Sequence, residues 1–360
     1  MVPLYVGSTA GYSGKSLVSL GLALKMQEDG LRVAYMKPYG RVPMVEGGIL
    51  TDGDVLFMKK RLGLAGPLER LCPVVYSHDL MAEALRGRGK DLLKKVMAAY
   101  KTIASDADAV ILGGARNIFD GKSIGISGAR IISETGAKAL IVDPFNGEAC
   151  VDCLLSVKDF LGESLAGAVI NRVPPEGMDY LKESAGPFLK RKGIPLMGIL
   201  PADPVLNSMT VRQVNESIGG TVLCCEENLD ELVENLSIGA MDVESALKYF
   251  RRTHSKAVIT GGHRSDIQLA ALETSTKCLI LTGDLLPNAL IIAKAKLSGV
   301  PVITVKGDTL STVERLESTL GKVRIREERK VARAMELMRA HFDFSALYKA
   351  AGIRKGEAGN

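Results

Sequence analysis

The amino-acid sequence predicts an α/β protein with a mostly parallel sheet covered by helices on both faces, followed by a smaller α/β domain. Short β-branched apolar runs alternate with segments of helical spacing, and turn residues follow each predicted strand. At 360 residues the chain exceeds the size at which single cores stop growing, which predicts about two domains. We expect a first domain over residues 1–215, a second over 216–350 and a polar tail over 351–360.

The first predicted strand and helix enclose a glycine-rich loop. Apolar residues precede the loop from Leu4, and helical spacing of apolar residues follows it from Leu17. The loop between them is Gly7-Ser8-Thr9-Ala10-Gly11-Tyr12-Ser13-Gly14-Lys15-Ser16, with Thr9 where the strict phosphate-loop pattern has glycine. Backbone N–H groups at a helix N-terminus bind phosphate. The sequence therefore predicts a P-loop NTPase-like fold that binds a nucleoside triphosphate through Gly11, Ser13, Gly14, Lys15, Ser16 and Leu17.

Two side chains of this loop have predicted chemical roles. Lys15 is expected to reach the β- and γ-phosphates and to act in any phosphoryl transfer. The Ser16 hydroxyl is a hard oxygen ligand of the kind that Mg²⁺ prefers. The loop therefore predicts Mg²⁺ together with the nucleotide.

Later strands are predicted at 32–36, 109–112, 139–142, 167–170 and 195–199. In an open parallel sheet, ligands bind beyond the carboxyl ends of the strands. The turns after these strands should therefore gather around the phosphate loop. They are Lys37-Pro38, Gly113-Gly114, Asp143-Pro144, Asn171-Arg172 and Pro201-Ala202-Asp203.

A second α/β series begins after about residue 213, with a break at Gly219-Gly220. Strands are predicted at 257–259, 278–281 and 302–305, and helices begin near Ser265, Pro287 and Thr309. A last helical stretch is predicted over 327–351. This series has no phosphate loop, which favours binding or sensing over hydrolysis.

Composition disfavours several other classes of protein. The net charge of +5 is dispersed and tryptophan is absent, so a nucleic-acid interface is not expected. Neither a span of ~18 apolar residues nor a signal-peptide pattern occurs, and we expect a cytoplasmic protein without a membrane segment. The six cysteines include Cys150 and Cys153 and the adjacent pair Cys224-Cys225. Reduced thiols are favoured over a metal or redox site.

The first domain resembles the dethiobiotin synthetase-like P-loop proteins, a group that includes cobyrinic acid a,c-diamide synthases. The residues that carry the resemblance are the phosphate loop, Tyr35-Met36-Lys37-Pro38, Thr51-Asp52-Gly53-Asp54 and Asn171. The resemblance implies ATP as the nucleotide, Lys37 as a catalytic contact to phosphate and substrate, and Mg²⁺ coordination by Asp54. It also implies base contacts by Asn171 and by the loop of Pro201 and Asp203. The resembling enzymes are dimers, so a homo-oligomer is expected.

The second domain is similar to DRTGG domains through Val258-Ile259-Thr260-Gly261-Gly262-His263-Arg264-Ser265-Asp266-Ile267-Gln268, in which His263 replaces an aspartate. Such domains follow a dethiobiotin synthetase-like unit in the N-terminal region of long bacterial phosphotransacetylases. The resemblance implies an unidentified second ligand or protein partner at this domain. We expect no acetyl transfer, since no residues for that catalytic domain follow Asn360.

One departure from the resembling enzymes keeps two functions open. Gly113 stands where they carry a Mg²⁺-binding glutamate, although Asp120 lies close in sequence. The missing acid favours an ATP- and Mg²⁺-binding regulatory or sensor protein. The alternative, suggested by the retained Lys15, Ser16, Lys37 and Asp54, is an ATP-dependent ligase that activates a carboxylate.

Overall fold

The computed structural model describes residues 1–88, 91–319 and 327–354. The chain divides into two compact units. The first unit holds residues 1–202 and 325–360, and the second holds residues 203–324. No helix in the described part of the chain is long and apolar enough to cross a membrane.

The first unit alternates strands and helices over residues 1–202. Its strands are β1 Val2–Gly7, β2 Val33–Met36, β3 Tyr39–Gly40, β4 Pro43–Glu46, β5 Ile49–Asp52, β6 Val74–Val75, β7 Ala109–Gly113, β8 Lys138–Pro144, β9 Leu165–Val173 and β10 Leu196–Pro201. Its helices here are α1 Lys15–Glu28, α2 Gly53–Leu62, α3 Leu68–Leu71, α4 His78–Leu85, α5 Leu92–Ala104, α6 Gly128–Thr135, α7 Ala149–Leu161, α8 Pro175–Asp179 and α9 Gly186–Arg191.

A six-stranded parallel sheet in the order β10-β9-β8-β1-β7-β2 forms the centre of this unit. Successive strand residues point to opposite faces, and the neighbours Val110 and Ile111 are both fully buried. Val110 shares a core cluster with Val96 of α5 and Leu154 of α7, whereas α1 packs along β1, β2 and β7. Both faces are therefore covered, and the predicted α/β fold class is confirmed.

All six strands run in the same direction, so their carboxyl ends lie at one edge of the sheet. The phosphate loop follows β1, and Lys37, Gly113, Asp143 and Asn171 stand at or just beyond the ends of β2, β7, β8 and β9. The five later predicted strands all exist, with ends that differ by at most three residues. The sequence therefore predicted correctly which turns share an edge with the phosphate loop.

The second unit is a smaller α/β unit. Its strands are β11 Met209–Thr210, β12 Thr221–Cys224, β13 Leu232–Val233, β14 Asn235–Ile238, β15 Lys256–Gly261, β16 Thr276–Thr282 and β17 Val302–Val305. Its helices are α10 Pro204–Asn207, α11 Val211–Ile218, α12 Val243–Arg252, α13 Ser265–Leu272, α14 Ala289–Ser298 and α15 Thr309–Thr319. Strands β14 to β17 are parallel, and β12 adds to β17 in the antiparallel direction.

The C-terminal helices differ from the prediction. The single stretch predicted over 327–351 is two helices, α16 Glu328–His341 and α17 Phe344–Ala351, with a break at Phe342. The structure groups them with the first unit, so residues 328–350 are not part of the second unit as the predicted boundary had them. The physical reason is packing: α16 lies against α1, where the missing side chain of Gly21 leaves room for Met338.

Polar contacts reinforce this arrangement. Arg339 meets Glu28 at 2.6 Å, and the Tyr348 hydroxyl donates to Asp29 at 2.9 Å. The predicted polar tail begins later than expected, because α17 ends at Ala351 and Ile353 is buried. Residues 355–360 of that tail lie outside the described residues.

Candidate functional site

The phosphate loop connects β1 to α1 through two left-handed residues. Tyr12 has φ 55° and Gly14 has φ 97°. Gly14 is the N-cap of α1, and a side chain there would collide with the Asn171 amide nitrogen. Glycine has no side chain to occupy the first N–H groups of the helix, which therefore face the loop. The local geometry is that of an anion site at a helix N-terminus.

Asn171, near the end of β9, binds the backbone of this loop. Its Nδ2 donates to the Ser13 carbonyl at 2.9 Å, and its Oδ1 accepts from the backbone N–H of Arg172 at 2.9 Å. The side chain is buried. The structure therefore places Asn171 as a brace of the phosphate loop, and its predicted contact with a purine stays a prediction.

Lys15 lies within the loop itself. Its Nζ donates to the Ser8 hydroxyl at 2.7 Å and to the Arg116 carbonyl at 2.9 Å. Burial and, to a smaller extent, the nearby positive charge of Lys37 lower the pKa of Lys15 to about 8. A polyphosphate beside this ammonium would reverse both effects, because an opposite charge favours the protonated form.

The predicted metal and phosphate residues come together at the start of α2. The Lys37 Nζ lies 2.6 Å from Asp54 Oδ2 and 3.0 Å from Asp52 Oδ1. The Ser16 hydroxyl donates to the same Asp54 oxygen at 3.2 Å. Burial lowers the pKa of Lys37, but the carboxylates of Asp54 and Asp52 outweigh burial and raise it above its usual value. Lys37 is therefore a fixed positive charge.

The two aspartates have different surroundings. Asp52 is completely buried and accepts hydrogen bonds from the backbone N–H groups of Arg41, Val42 and Asp54 at 2.7 to 2.8 Å. It caps α2 and holds the base of the β4–β5 hairpin. Asp54 is partly exposed and adjoins Ser16. Of the two acids, Asp54 is the one whose oxygens suit a divalent cation beside the phosphate loop.

Gly113 has a structural explanation. A Cβ at this position would collide with the Tyr35 hydroxyl, and Tyr35 is buried beside it on β2. The space that an acidic side chain would enter is therefore filled by a tyrosine. Burial, followed by the charges of Asp54 and Asp52, raises the pKa of Tyr35 well above its usual value, so the hydroxyl stays neutral.

Asp120 does not adjoin Ser16 in place of the missing acid. Its carboxylate meets Arg41 Nε at 3.4 Å and Arg116 Nε at 3.7 Å, and it accepts from the Arg116 backbone N–H at 3.2 Å. These contacts hold it between two arginines. Arg116 itself contributes its backbone carbonyl to Lys15, while its side chain is mostly exposed.

Arg41 was not among the predicted site residues, and Asp143 was predicted only as part of a turn at this edge of the sheet. The Arg41 guanidinium stacks on Tyr76 with 4.2 Å to the ring centroid and donates to Tyr39 at 2.9 Å. Asp143 accepts from the Thr9 N–H and hydroxyl, both at 2.7 Å. These two hydrogen bonds explain why threonine is accepted at position 9 in place of glycine, since the Thr9 side chain binds the loop to β8. The sequence signal was the position of Asp143 at a strand end.

The remaining predicted contacts occupy distinct places. Gly11 has an ordinary φ and open space around it, and the Leu17 side chain is buried in α1, so it offers only its backbone N–H to a ligand. Pro201 ends β10, and Asp203 caps the short helix α10 through the Leu206 N–H at 3.1 Å. The predicted base contacts of Pro201 and Asp203 stay predictions.

The glycine-rich turn of the second unit lies between β15 and α13. Gln268 is fully buried, and its Nε2 donates to the carbonyls of Gly261 and Gly262, both at 3.1 Å. Arg264 pairs with Asp266 at 3.0 Å and donates to the Met241 carbonyl at 2.9 Å. His263 is exposed and is not the cap of α13, whose N-cap residue is Arg264.

The cysteines show no metal cluster. All six are free thiols, and Cys153 is the one that is partly exposed. Among residues 1–88, 91–319 and 327–354, no group of three or more His, Cys, Asp and Glu side chains is placed to hold a metal ion.

Comparison with protein families divides the sequence at nearly the same place as the structure does. Residues 3–210 match the AAA domain family, and residues 213–319 match the DRTGG domain family. The match to the first family covers more than half of the chain. The match to the second covers the glycine-rich turn between β15 and α13.

Relatives with curated names are phosphate acetyltransferases. The protein of Nitratidesulfovibrio vulgaris is 27% identical over 368 aligned positions, covering 96% of this chain and 51% of the relative. The protein of Synechocystis sp. is 24% identical over 358 positions, covering 94% of this chain and 50% of the relative. The chain thus spans about half the length of the curated relatives it matches.

Comparison with solved structures gives matches of low sequence identity. MinD from Pyrococcus horikoshii, complexed with Mg-ADP, is 16% identical and covers 57% of this chain and 83% of its own, with a TM-score of 0.34. The CBS and DRTGG domains of Clostridium perfringens pyrophosphatase, complexed with diadenosine tetraphosphate, are 20% identical. That alignment covers 43% of this chain and 74% of theirs, with a TM-score of 0.29.

Proposed function

Because the chain belongs to the AAA domain family over residues 3–210 and carries a DRTGG domain over residues 213–319, we propose that it is a regulatory nucleotide-binding protein. The nucleotide is ATP with Mg²⁺, and its presence changes how the DRTGG domain binds a second ligand or a protein partner. The protein acts in the cytoplasm and forms a homo-oligomer. These statements go beyond P-loop nucleotide binding, which the family assignment supports directly.

The observation that carries the proposal is the sharing of one Asp54 oxygen between Lys37 and Ser16. Hydroxyl and carboxylate oxygens at the end of a phosphate loop suit Mg²⁺, which keeps several waters and bridges phosphates. Ser16 and Asp54 would hold the ion, and Lys15 and Lys37 would neutralise phosphate oxygens. Mg²⁺ supplies charge neutralisation of the phosphates when it is bound.

The surroundings of Gly113 favour a regulatory role over catalysis of phosphoryl transfer. Tyr35 fills the space of the acid that the resembling enzymes use for Mg²⁺, so the protein holds the metal through fewer carboxylates. Fewer metal ligands weaken stabilisation of the transferring phosphoryl group more than they weaken nucleotide binding. The expected behaviour is binding with little turnover.

A ligase that activates a carboxylate remains the second candidate, and the position of Arg41 favours it. The Arg41 guanidinium lies 3.4 Å from Asp120 and stacks on Tyr76, so a second cation stands on the segment that follows the phosphate-contacting Lys37. A carboxylate acceptor needs such a partner. This candidate predicts ATP consumption that depends on an added carboxylate.

The experiment that separates the two is ATP titration calorimetry with and without Mg²⁺, followed by single-turnover ATP consumption. Lys15→Ala should weaken ATP binding by about 100-fold, since it removes a charge-assisted contact to phosphate. Lys25→Ala is the matched control, because Lys25 lies on the same helix and pairs with Asp29 instead. Equal affinities of the Lys15 variant and the unaltered protein would contradict the proposed site.

Further readouts complete the test. Tight binding without turnover supports regulation, whereas turnover stimulated by a pool of carboxylates and lost in Lys15→Ala supports the ligase. Arg264→Ala should leave ATP affinity unchanged, because Arg264 pairs with Asp266 in the second unit. Light scattering with and without ATP reports the oligomeric state. Loss of ATP binding in the Arg264 variant would contradict the division of roles.

A further inference from the structure

A cavity of about 500 Å³ lies beneath α4 in the first unit. Leu80 and Ala84 of α4 form one wall, and Leu92 of α5 and Ile124 form the other. Leu92 and Ile124 belong to the main core cluster, with Leu80 and Ala84 packed against it. Pockets of roughly 300–1,000 Å³ with mostly apolar walls are typical of small-molecule sites.

Helix α4 is packed unlike the other helices of its length. An amphipathic surface helix normally buries its apolar stripe against the core. Leu80, Met81 and Ala84 form such a stripe, yet none of the eight residues of α4 is fully buried. Leu80 and Ala84 pack against the core cluster with only part of their surface, and both also line the cavity. An apolar ligand there would complete the burial of this helix face.

The polar lining is acidic on the α4 side. Asp79 and Glu83 both line the cavity and stand four residues apart on one helix face. Like charges at this spacing repel each other and destabilise a helix slightly. Arg86 meets Glu83 at 3.2 Å, but this pair is exposed and therefore weak. A cation between the two carboxylates would relieve the repulsion.

The other polar lining residues limit the ligand further. Ser123 offers a hydroxyl that accepts or donates a hydrogen bond, and Arg88 lies just beyond the end of α4. A positive charge near Arg88 would be repelled, so a second cationic group on the ligand is disfavoured at that end. We propose that this cavity binds a small apolar molecule that carries a single positively charged amine.

The proposal is tested by titration calorimetry of the full chain with n-hexylamine, n-propylamine and n-hexanoate. Hexylamine should bind, and each additional buried CH₂ should strengthen binding by about fourfold relative to propylamine. Hexanoate should bind more weakly than hexylamine, because two carboxylates of the lining, Asp79 and Glu83, repel its charge and one cation, Arg88, attracts it. Equal binding of hexylamine and hexanoate would overturn the proposal.

Variants of the lining residues test whether hexylamine binds in this cavity. Asp79→Asn should weaken hexylamine binding by about two- to fivefold, as expected for an exposed charge pair. Glu244→Gln is the matched control, because Glu244 is also an exposed first-turn acid but lies on α12. Ala84→Leu fills the cavity and should abolish binding. Hexylamine affinity that is unchanged in both Asp79→Asn and Ala84→Leu would overturn the proposed site.

Discussion

Lys37 and Asp54 form an ion pair of 2.6 Å that joins the end of β2 to the start of α2, and the same Asp54 oxygen accepts the Ser16 hydroxyl at 3.2 Å. The carboxylate of Asp54 thus links α1, the helix that follows the phosphate loop, to the buried Lys37, which precedes Asp54 by 17 residues. The neighbouring Asp52 holds the same lysine from a fully buried position. We therefore expect the two acids to have separable roles, Asp54 in metal binding and Asp52 in folding.

Asp54→Asn should reduce the effect of Mg²⁺ on ATP affinity by about tenfold while lowering the free energy of unfolding by only about 1 kcal/mol. The reason is that Lys37 keeps its pair with Asp52, whereas the metal loses a carboxylate. ATP titrations at several Mg²⁺ concentrations and urea unfolding measure the two effects. An unchanged Mg²⁺ dependence would exclude Asp54 as a metal ligand.

Asp52→Asn should behave in the opposite way and lower the free energy of unfolding by about 3–5 kcal/mol, the usual cost of breaking a buried ion pair. The amide nitrogen of the new side chain would also face N–H donors that now bond to a carboxylate oxygen. Urea unfolding measures the loss. A stability equal to that of Asp54→Asn would show that the burial of Asp52 is not important.

ATP affinity should decrease as the pH rises above about 8. Free Lys15 has a pKa of about 8, and bound phosphate raises this pKa because it favours the ammonium form. Below about pH 8 the lysine is already protonated, so affinity is constant; above it, binding requires proton uptake and weakens by up to about tenfold per pH unit.

Calorimetry between pH 7.5 and 9.5, in buffers of different ionisation enthalpy, measures both the affinity and the proton uptake. Lys15→Met is the control and should show weak binding without this pH dependence. Proton release on binding, or no exchange of protons at pH 8.5, would contradict the placement of Lys15 against the phosphates.

Gly14→Ala should lower the free energy of unfolding by about 2–3 kcal/mol, since a left-handed φ of 97° is strained for alanine and its Cβ collides with Asn171. Gly11→Ala is the matched control in the same loop, where a Cβ has open space and the φ is ordinary. Combining Gly14→Ala with Asn171→Ala should recover the part of the unfolding free energy that is lost to the steric clash, but not the part that is lost to backbone strain. Equal stability of the two glycine variants would refute this account.

Gly113→Ala should cost about 1–3 kcal/mol because the new Cβ meets the Tyr35 hydroxyl. Tyr35→Phe removes that oxygen, so the double variant should be less destabilised than the sum of the two single changes by about 1 kcal/mol. Thermal unfolding of all four proteins measures the coupling. Strict additivity would mean that Tyr35 does not fill the space beside Gly113.

Lys256 should make the stability of the second unit depend on pH. It is fully buried, its Nζ donates to the carbonyls of Thr253 and Ser275 at 3.1 Å, and burial lowers its pKa to about 8. Because the folded pKa lies below the unfolded value, unfolding takes up a proton between about pH 8 and 10. The free energy of unfolding should therefore rise with pH there, by up to about 1.4 kcal/mol per unit.

Unfolding of the unaltered protein and of Lys256→Met at pH 8 and 9.5 isolates this contribution, since other groups titrate equally in both. The variant should lack the additional rise. Parallel pH profiles would show that Lys256 titrates near its usual pKa and is reached by water in the folded protein.

The sequence by itself determined the six strands of the central sheet in their order along the chain, the phosphate loop and the set of turns that share its edge of the sheet. These features depend on local information: the apolar period of each segment, the glycines of the loop, and the rule that parallel strands end together. The turn after β2 placed Lys37 at this edge of the sheet, whereas the predicted roles of Lys37 and Asp54 came from the resemblance to the dethiobiotin synthetase-like proteins. Their pairing through one oxygen was not visible in the sequence.

Tertiary structure decided the features that depend on contacts between distant segments. Asn171 binds the Ser13 carbonyl across 158 positions of chain, Tyr35 fills the space beside Gly113, and Arg41 is fixed by Asp120. Helices α16 and α17 return to the first unit because Gly21 leaves room for Met338. Each of these contacts depends on side-chain volume and direction in the folded protein, which no local pattern of residues encodes.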